Sequence, residues 1–424
     1  MAPRSSEALL YCAPAIGRQT VTTQRSSLTQ WQLAPFHLGA AAGPFGSAGI
    51  PVFFSMLMQA FDVDRFTLSL AVPAYMLAYA AIQLVSGSIS DLTSRRGSIV
   101  LGFSSYGAAT LLCALAPNFS LFLVGQVLQG ITNAFMTPIL MATLGDVLPP
   151  RRYGRAMGIF SSTNIAGTML GVLVAGAIAS AGWRLYYALA AFLTWGLALW
   201  FVVWFRRYGQ QDPVRHHAAD RRRELAVIYR AFGLTVTLLA SLSFLASGAM
   251  QGAQYLFGEA LRDLWGMPPG ETGLILAVNG LAGLFLGPAG GYLIERIGVY
   301  RGTALGTIGM ALSLVLMGVA PSPLVFALGN ALLGGFGIGT WAALNTLAIR
   351  AVPEIRGTVS SYVGSAKFLV RGIAPFWFTP LYELAGPRSI FFASALLAAL
   401  LLLPLITLRS RVPDPAREAV RAGS

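Results

Sequence analysis

Gly87-Ser-Ile-Ser-Asp91-Leu-Thr-Ser-Arg95-Arg96 ends one long apolar run and leads into the next. Two hundred and four positions later, Gly291-Tyr-Leu-Ile-Glu295-Arg296-Ile-Gly298-Val-Tyr-Arg301 does the same. In each stretch an acid stands four residues after a glycine, and arginines follow. The offset recurs elsewhere. Pro117 pairs with Pro321, Phe122 with Phe326, Gly125 with Gly329 and Gly130 with Gly334. Pro149 pairs with Pro353, Arg152 with Arg356, Gly182 with Gly386 and Arg184 with Arg388. One match at an arbitrary offset carries little weight. Matches at a single offset that fall in corresponding loops and helices make the chain two copies of one unit.

The units are built for lipid. Of 424 residues, 55% are hydrophobic and 11% charged, where a soluble domain has about 25% charged. The 47 glycines lie within apolar runs, as in membrane helices, where glycine lets backbones approach closely. Apolar segments run over roughly 33–59, 67–89, 98–116, 120–143, 156–181, 185–205, 231–256, 272–294, 302–320, 322–348, 358–382 and 389–408. A bilayer crossing takes about 20 residues. The expected fold is an all-α membrane protein of twelve transmembrane helices in two pseudo-symmetric six-helix bundles. Residues 33–205 form the first bundle and 231–408 the second. A polar linker over 206–230 joins them, with tails at 1–32 and 409–424.

The net charge of +13 would point to nucleic acid in a soluble protein, but its placement gives another reason. With the N-terminus inside, 23 of the 29 basic residues fall in inner loops and tails, and only Arg65, Arg184, Arg262 and Arg388 in outer loops. The positive-inside rule then sets both termini in the cytoplasm, in a multi-pass protein of the cell (inner) membrane. No nucleic-acid partner is expected; the partners are membrane lipid and a small-molecule solute, and the chain is expected to be monomeric. Cys12 and Cys113 are too far apart to form a framework, and the adjacent His216 and His217 make poor metal geometry. No metal or other cofactor is expected. No nucleophile–base–orienter set is visible, so the chain is not read as an enzyme.

With Asp146-Val-Leu-Pro-Pro-Arg-Arg-Tyr-Gly-Arg-Ala-Met-Gly158, Gly182-Trp-Arg184 and Pro353-Glu-Ile-Arg-Gly357, the loop motif resembles the major facilitator superfamily over residues 33 to about 408. The chain is similar to its twelve-helix drug/proton antiporter group. The resemblance implies a secondary transporter working by rocker-switch alternating access. It also implies gating by Gly87, Asp91, Arg95 and Arg96 and, in the matching loop of the second half, by Gly291, Glu295 and Arg296. Asp91 and Arg95 would latch onto the start of helix 11 near Gly357–Ser361. A carboxylate beside the unpaired N–H groups of a helix start is stabilised by them and by the helix dipole. The simpler reading is that Arg95 and Arg96 only set topology. The sequence departs from the family at Leu92, where arginine is usual, at Ser94 and Gln126, and at Val172, which replaces a proline of the antiporters.

Two ionisable residues lie deep in an apolar segment. They are Arg371 and Lys367, the only lysine in the chain. Four apart, they share a face of helix 11. Counted from Thr358, Lys367 sits roughly 13 Å deep and Arg371 roughly 20 Å, each costing about 2.5–3.5 kcal/mol on insertion scales. No acid lies at that depth; Asp62, Asp64, Glu259, Asp263, Glu271 and Glu383 fall at or beyond the outer face. Two readings are open. Either the cations line a wet cavity and recruit an anion, or they form a structural staple between the halves. Other candidate substrate contacts are Gln251, Gln254 and Tyr255 in helix 7, Asn133 in helix 4 with Gln126 and Gln129, Asn279 in helix 8, and Trp341 and Asn345 in helix 10. In the family, helices 1, 4, 7 and 10 line the cavity; interhelical hydrogen bonding is the alternative use of each polar residue. The expected solute is an organic anion. Proton-coupled efflux of antibiotics or other amphipathic drugs is a second reading, and a non-transporting receptor or sensor a third.

Overall fold

The structure is a computed structural model that describes residues 29, 31–92, 94–148, 150–208, 233–351 and 356–410. The tails 1–28 and 411–424 and most of the 206–230 linker lie outside the described residues. Among the described residues, helices run over 31–61, 65–92, 95–115, 119–147, 150–177, 183–208, 234–265, 269–297, 299–319, 323–351, 356–385 and 389–409. They are called helices 1 to 12 here. Eleven are long and apolar enough to cross a membrane. Helix 11, made of Arg356–Ile373 and Pro375–Ala385, is the one outside that set, and it carries Lys367 and Arg371.

Several helix starts are written into the sequence. Asp64, Ser94 and Asn118 each accept a hydrogen bond from the backbone three residues on, at 2.6, 2.8 and 2.9 Å, satisfying donors the helix leaves free. Before helices 6 and 12 the chain turns at Gly182 (φ 97°) and Gly386 (φ 80°), where L side chains are strained.

The 204-residue offset holds in three dimensions. Arg184 donates to the Ala116 carbonyl at 3.0 Å, and Arg388 to the Ala320 carbonyl at 3.1 Å. Phe122 packs edge-on against Tyr187, and Phe326 against Phe391. Gly130 lies on the Tyr75 carbonyl and Gly334 on the Asn279 carbonyl, so closely that no Cβ fits at either place. Every one of these partners is itself 204 positions from its counterpart. Helices 1 and 7 also break at equivalent points. Helix 1 is interrupted at residues 48–49, and helix 7 passes through a π-turn, Gly248–Gly252, and a 3-10 turn, Gln254–Leu256. Irregular turns of this kind often mark functional segments.

Twelve crossings put both ends of the helical region on one face, here the terminal face; the opposite one is the far face. The bundles meet through helices 2 and 11, 5 and 8, and 1 and 7. For helices 1 and 7 the main contacts join their far-face segments, Ile50–Phe61 with Phe257–Trp265 and Gln254–Leu256.

Candidate functional site

Helix 11 presents its two cations at the seam between the bundles. Helix 7 fixes its backbone at Lys367 and one turn before it. Ser243 donates to the Val363 carbonyl at 2.7 Å and Ser247 to the Lys367 carbonyl at 3.2 Å. Lys367 and Arg371 are half-buried, on the opposite side of the helix from exposed Leu369, since two residues along a helix turn the direction by about 200°. The Lys367 ammonium stands 4.4 Å above the Trp341 ring and 5.3 Å from Phe368. Cation–π contacts of this geometry are worth about 0.5–2 kcal/mol. A Cβ built on Gly364, almost a turn before Lys367, would meet nothing within 4 Å, so the space beside that position is open.

The first bundle faces this cluster with tyrosines. Tyr75 and Tyr79 of helix 2 stack at 6.3 Å, and Tyr79 packs on Phe368 of helix 11 at 4.3 Å. Both lie close enough to Arg371 for an electrostatic interaction. Asn133 donates to the Tyr75 hydroxyl at 2.6 Å and rests against Gly43 of helix 1, while its Oδ1 is buried with no hydrogen-bond partner among the described residues. Among the described residues, neither Lys367 nor Arg371 makes an ion pair. Two unneutralised cations, ring faces, a tyrosine pair and an amide thus converge from helices 2, 4, 10 and 11. Such a set can recognise a negatively charged group attached to an apolar body. Sequence reading missed Tyr75, Tyr79 and Phe368; the spacing of the two tyrosines, one helical turn apart, was the only signal.

The remaining candidates divide. Gln251 sits in the π-turn with a buried Oε1 that takes no hydrogen bond from the described residues, and Gln254 and Asn345 are half-buried. Tyr255 shares a 2.7 Å hydrogen bond with Thr379 of helix 11. Asn279 donates to the Asn330 carbonyl at 2.9 Å, tying helix 8 to helix 10. Gln129 donates to Thr110 at 2.7 Å, and Gln126 to the Cys113 sulfur, so that face of helix 4 turns to helix 3. Each of these four places a hydrogen bond between helices.

Of the loop residues, Arg95 is half-buried, and Arg96 and Arg296 are exposed. The side chains of Asp91 and Glu295 and the surroundings of Gly87, Gly291 and the Gly357–Ser361 target lie outside what is described, although the backbone of each is helical.

A second cluster closes the far face. Arg65, at the start of helix 2, donates to Glu259 at 3.1 Å and to Asp263 at 3.0 Å, both on helix 7. Tyr382 of helix 11 donates to the same Asp263 oxygen at 2.9 Å, and the Arg65 guanidinium lies 4.6 Å from the Tyr382 ring centre. Gly258 sits directly on the Pro51 carbonyl of helix 1. Asp64 is already engaged as a helix cap, and the Thr67 backbone N–H holds its carboxyl below the usual range.

Two repeated six-helix bundles, joined on one face and carrying unneutralised charge at the seam, are the architecture of a membrane transporter. The model of the Major Facilitator Superfamily matches residues 36–258 and 239–423, and the chain belongs to that family. It is a multi-pass membrane protein with the family and fold of a transporter. It is 24% identical over 316 residues to the uncharacterised transporter YceJ of Bacillus subtilis, covering 74% of this chain and 79% of that one. It is 27% identical over 320 residues to the multidrug resistance protein MdtG of Enterobacter lignolyticus, covering 73% and 74%. Among solved structures, a bacterial homologue of the human lysosomal transporter Spinster, in an inward-facing and unoccupied conformation, superposes with a TM-score of 0.74 at 17% identity, covering 89% and 96%. A peptide transporter in complex with sulfate gives 0.71 at 14%, covering 89% and 94%.

Proposed function

We propose that this chain moves an organic anion across the cell membrane by alternating access, the two bundles rocking about a site at Lys367 and Arg371. The carrying observation is that these cations stand at the seam between the bundles with no carboxylate among the described residues to neutralise them. Charges held in the membrane without a partner are costly, and anion binding would offset that cost. Arginine's planar fork suits a carboxylate, the lysine adds a point charge, and Trp341, Tyr75 and Tyr79 would hold the apolar body. Gln251, Gln254 and Asn345 complete the proposed contacts.

In this reading the terminal face is cytoplasmic, as the distribution of arginines requires under the positive-inside rule. The Arg65–Glu259–Asp263–Tyr382 cluster shuts the outer side. The Asp91 loop is the proposed latch of the inner side, released when that side opens. The bundles correspond to 33–205 and 231–408, and the chain works as a monomer.

Proton-coupled drug efflux is the second reading, favoured by the likeness to the multidrug resistance protein MdtG. A stabilisation screen of purified protein with matched carboxylates, neutral amides and amines separates the two. The anion reading predicts that carboxylates raise Tm and their amides do not. Stabilisation led by amines would reject it.

A further inference from the structure

Lys367 and Arg371 put two positive charges at the seam, and among the described residues no acid pairs with either. The ionisable group acting on Lys367 is Arg371, and those acting on Arg371 are the phenols Tyr75 and Tyr79. The two cations have different walls. Lys367 stands over Trp341 of helix 10, in its own bundle, with Nζ 4.4 Å from the ring centre. Arg371 lies within electrostatic reach of the stacked tyrosines of helix 2, in the other bundle. Residues four apart on a helix have Cβ atoms about 5–6 Å apart, so the charges are neighbours without coinciding. The Phe368 ring borders both, 5.3 Å from the ammonium and 6.0 Å from the guanidinium carbon. One carboxylate could neutralise one of these charges and would leave the other unpaired in the membrane, which is costly.

We infer that the solute of this site, taken as the organic anion of the proposed function, carries two acid groups joined by a short apolar spacer. One acid group meets the Arg371 guanidinium, whose planar fork suits a carboxylate, and the other meets the Lys367 ammonium as a point charge. The spacer passes over Phe368. The filled site then holds two cations against two carboxylates and has no net charge when the bundles rock around it. A compact dianion such as sulfate suits this layout less well, because the cations stand against separate walls.

The test is a binding titration of the purified full chain at about pH 7.5, where both acids of glutarate are ionised. The probes are glutarate, its monomethyl ester, which keeps the chain and loses one charge, and sulfate. Wild type should bind glutarate at least about tenfold tighter than the ester, and sulfate more weakly than glutarate. Across malonate, glutarate and azelate the tightest binding should fall at glutarate. Lys367→Gln should bring glutarate down to the affinity of the ester. Arg371→Lys, which keeps two charges, should weaken both and retain the preference. Equal binding of glutarate and its ester to wild type, sulfate binding as tightly as glutarate, a flat chain-length series, or a preference that survives Lys367→Gln would each overturn the inference and leave an anion site in place. Failure of every carboxylate to bind would overturn it together with the anion reading.

Discussion

Arg65 and Glu259 are 194 positions apart in the chain and 3.1 Å apart in space. The bond joins the first bundle to the second, and Asp263 and Tyr382 extend it across three helices. It sits at the rim, beside the place where the Pro51 carbonyl touches Gly258. Closure of the far face thus rests on a polar clasp and on a backbone contact that only glycine allows.

Each part of that closure is removable. Hydrogen bonds to charged groups are worth about 1.5–3 kcal/mol, so Arg65→Gln should move the population toward the far-face-open state roughly tenfold or more. Gly258→Val should act in the same direction through steric overlap. Asp91→Asn should act oppositely, if that loop latches the terminal face. Labelling rates of cysteines on the two sides report the shift. Unchanged rates in both far-face variants would mean the clasp is incidental.

Arg184 and Arg388 predict a stability effect. Each caps carbonyls at the end of the neighbouring helix, Ala116 for one and Gly318 and Ala320 for the other. Losing the donor leaves part-buried carbonyls unpaired, at about 1–3 kcal/mol. Arg184→Met and Arg388→Met should each lower Tm, and by similar amounts because the sites are equivalent. Thermal unfolding in detergent measures it.

Topology follows from charge. A cysteine at Asn118, on the far face, should react with an impermeant reagent from outside intact cells. One at His216 should react only after the membrane is opened. The reverse pattern would invert the orientation and reassign both gates.

The fold was legible because the repeat lies in the sequence itself. Pro117 and Pro321, or Gly182 and Gly386, mark the same turns in both halves, and apolar length does the rest. Helix 11 was legible through its charges, although those same charges leave it outside the set recognised by apolarity. The site was half legible. A lysine or arginine in an apolar run stands out, whereas Tyr75 and Tyr79 look like packing. Polar residues are ambiguous in a particular way. Tyr255, Asn279, Gln126 and Gln129 sit on helix faces that alone do not tell a neighbouring helix from a cavity, and the structure turns each to a neighbour. Glu259 and Asp263 read as rim acids because their partner, Arg65, is nearly half the chain away.

Trp341 gives a graded test of the seam cluster. Trp341→Phe keeps a weaker ring under the Lys367 ammonium and Trp341→Leu removes it, for a loss of about 0.5–2 kcal/mol. If Lys367 must be held in place to meet the solute, affinity should fall in the order Trp, Phe, Leu while Tm changes little. A flat series would leave the ring a packing element.

The most direct measurement is the affinity of the best-stabilising carboxylate for wild type, Arg371→Lys and Arg371→Gln, read by titration on purified protein. The account predicts loss in that order. Lysine keeps the charge without the bidentate fork, and glutamine loses both, for a total of roughly tenfold to a hundredfold. Equal affinities across the three, or tighter binding of the matched amine than of the carboxylate, would contradict anion recognition at Arg371.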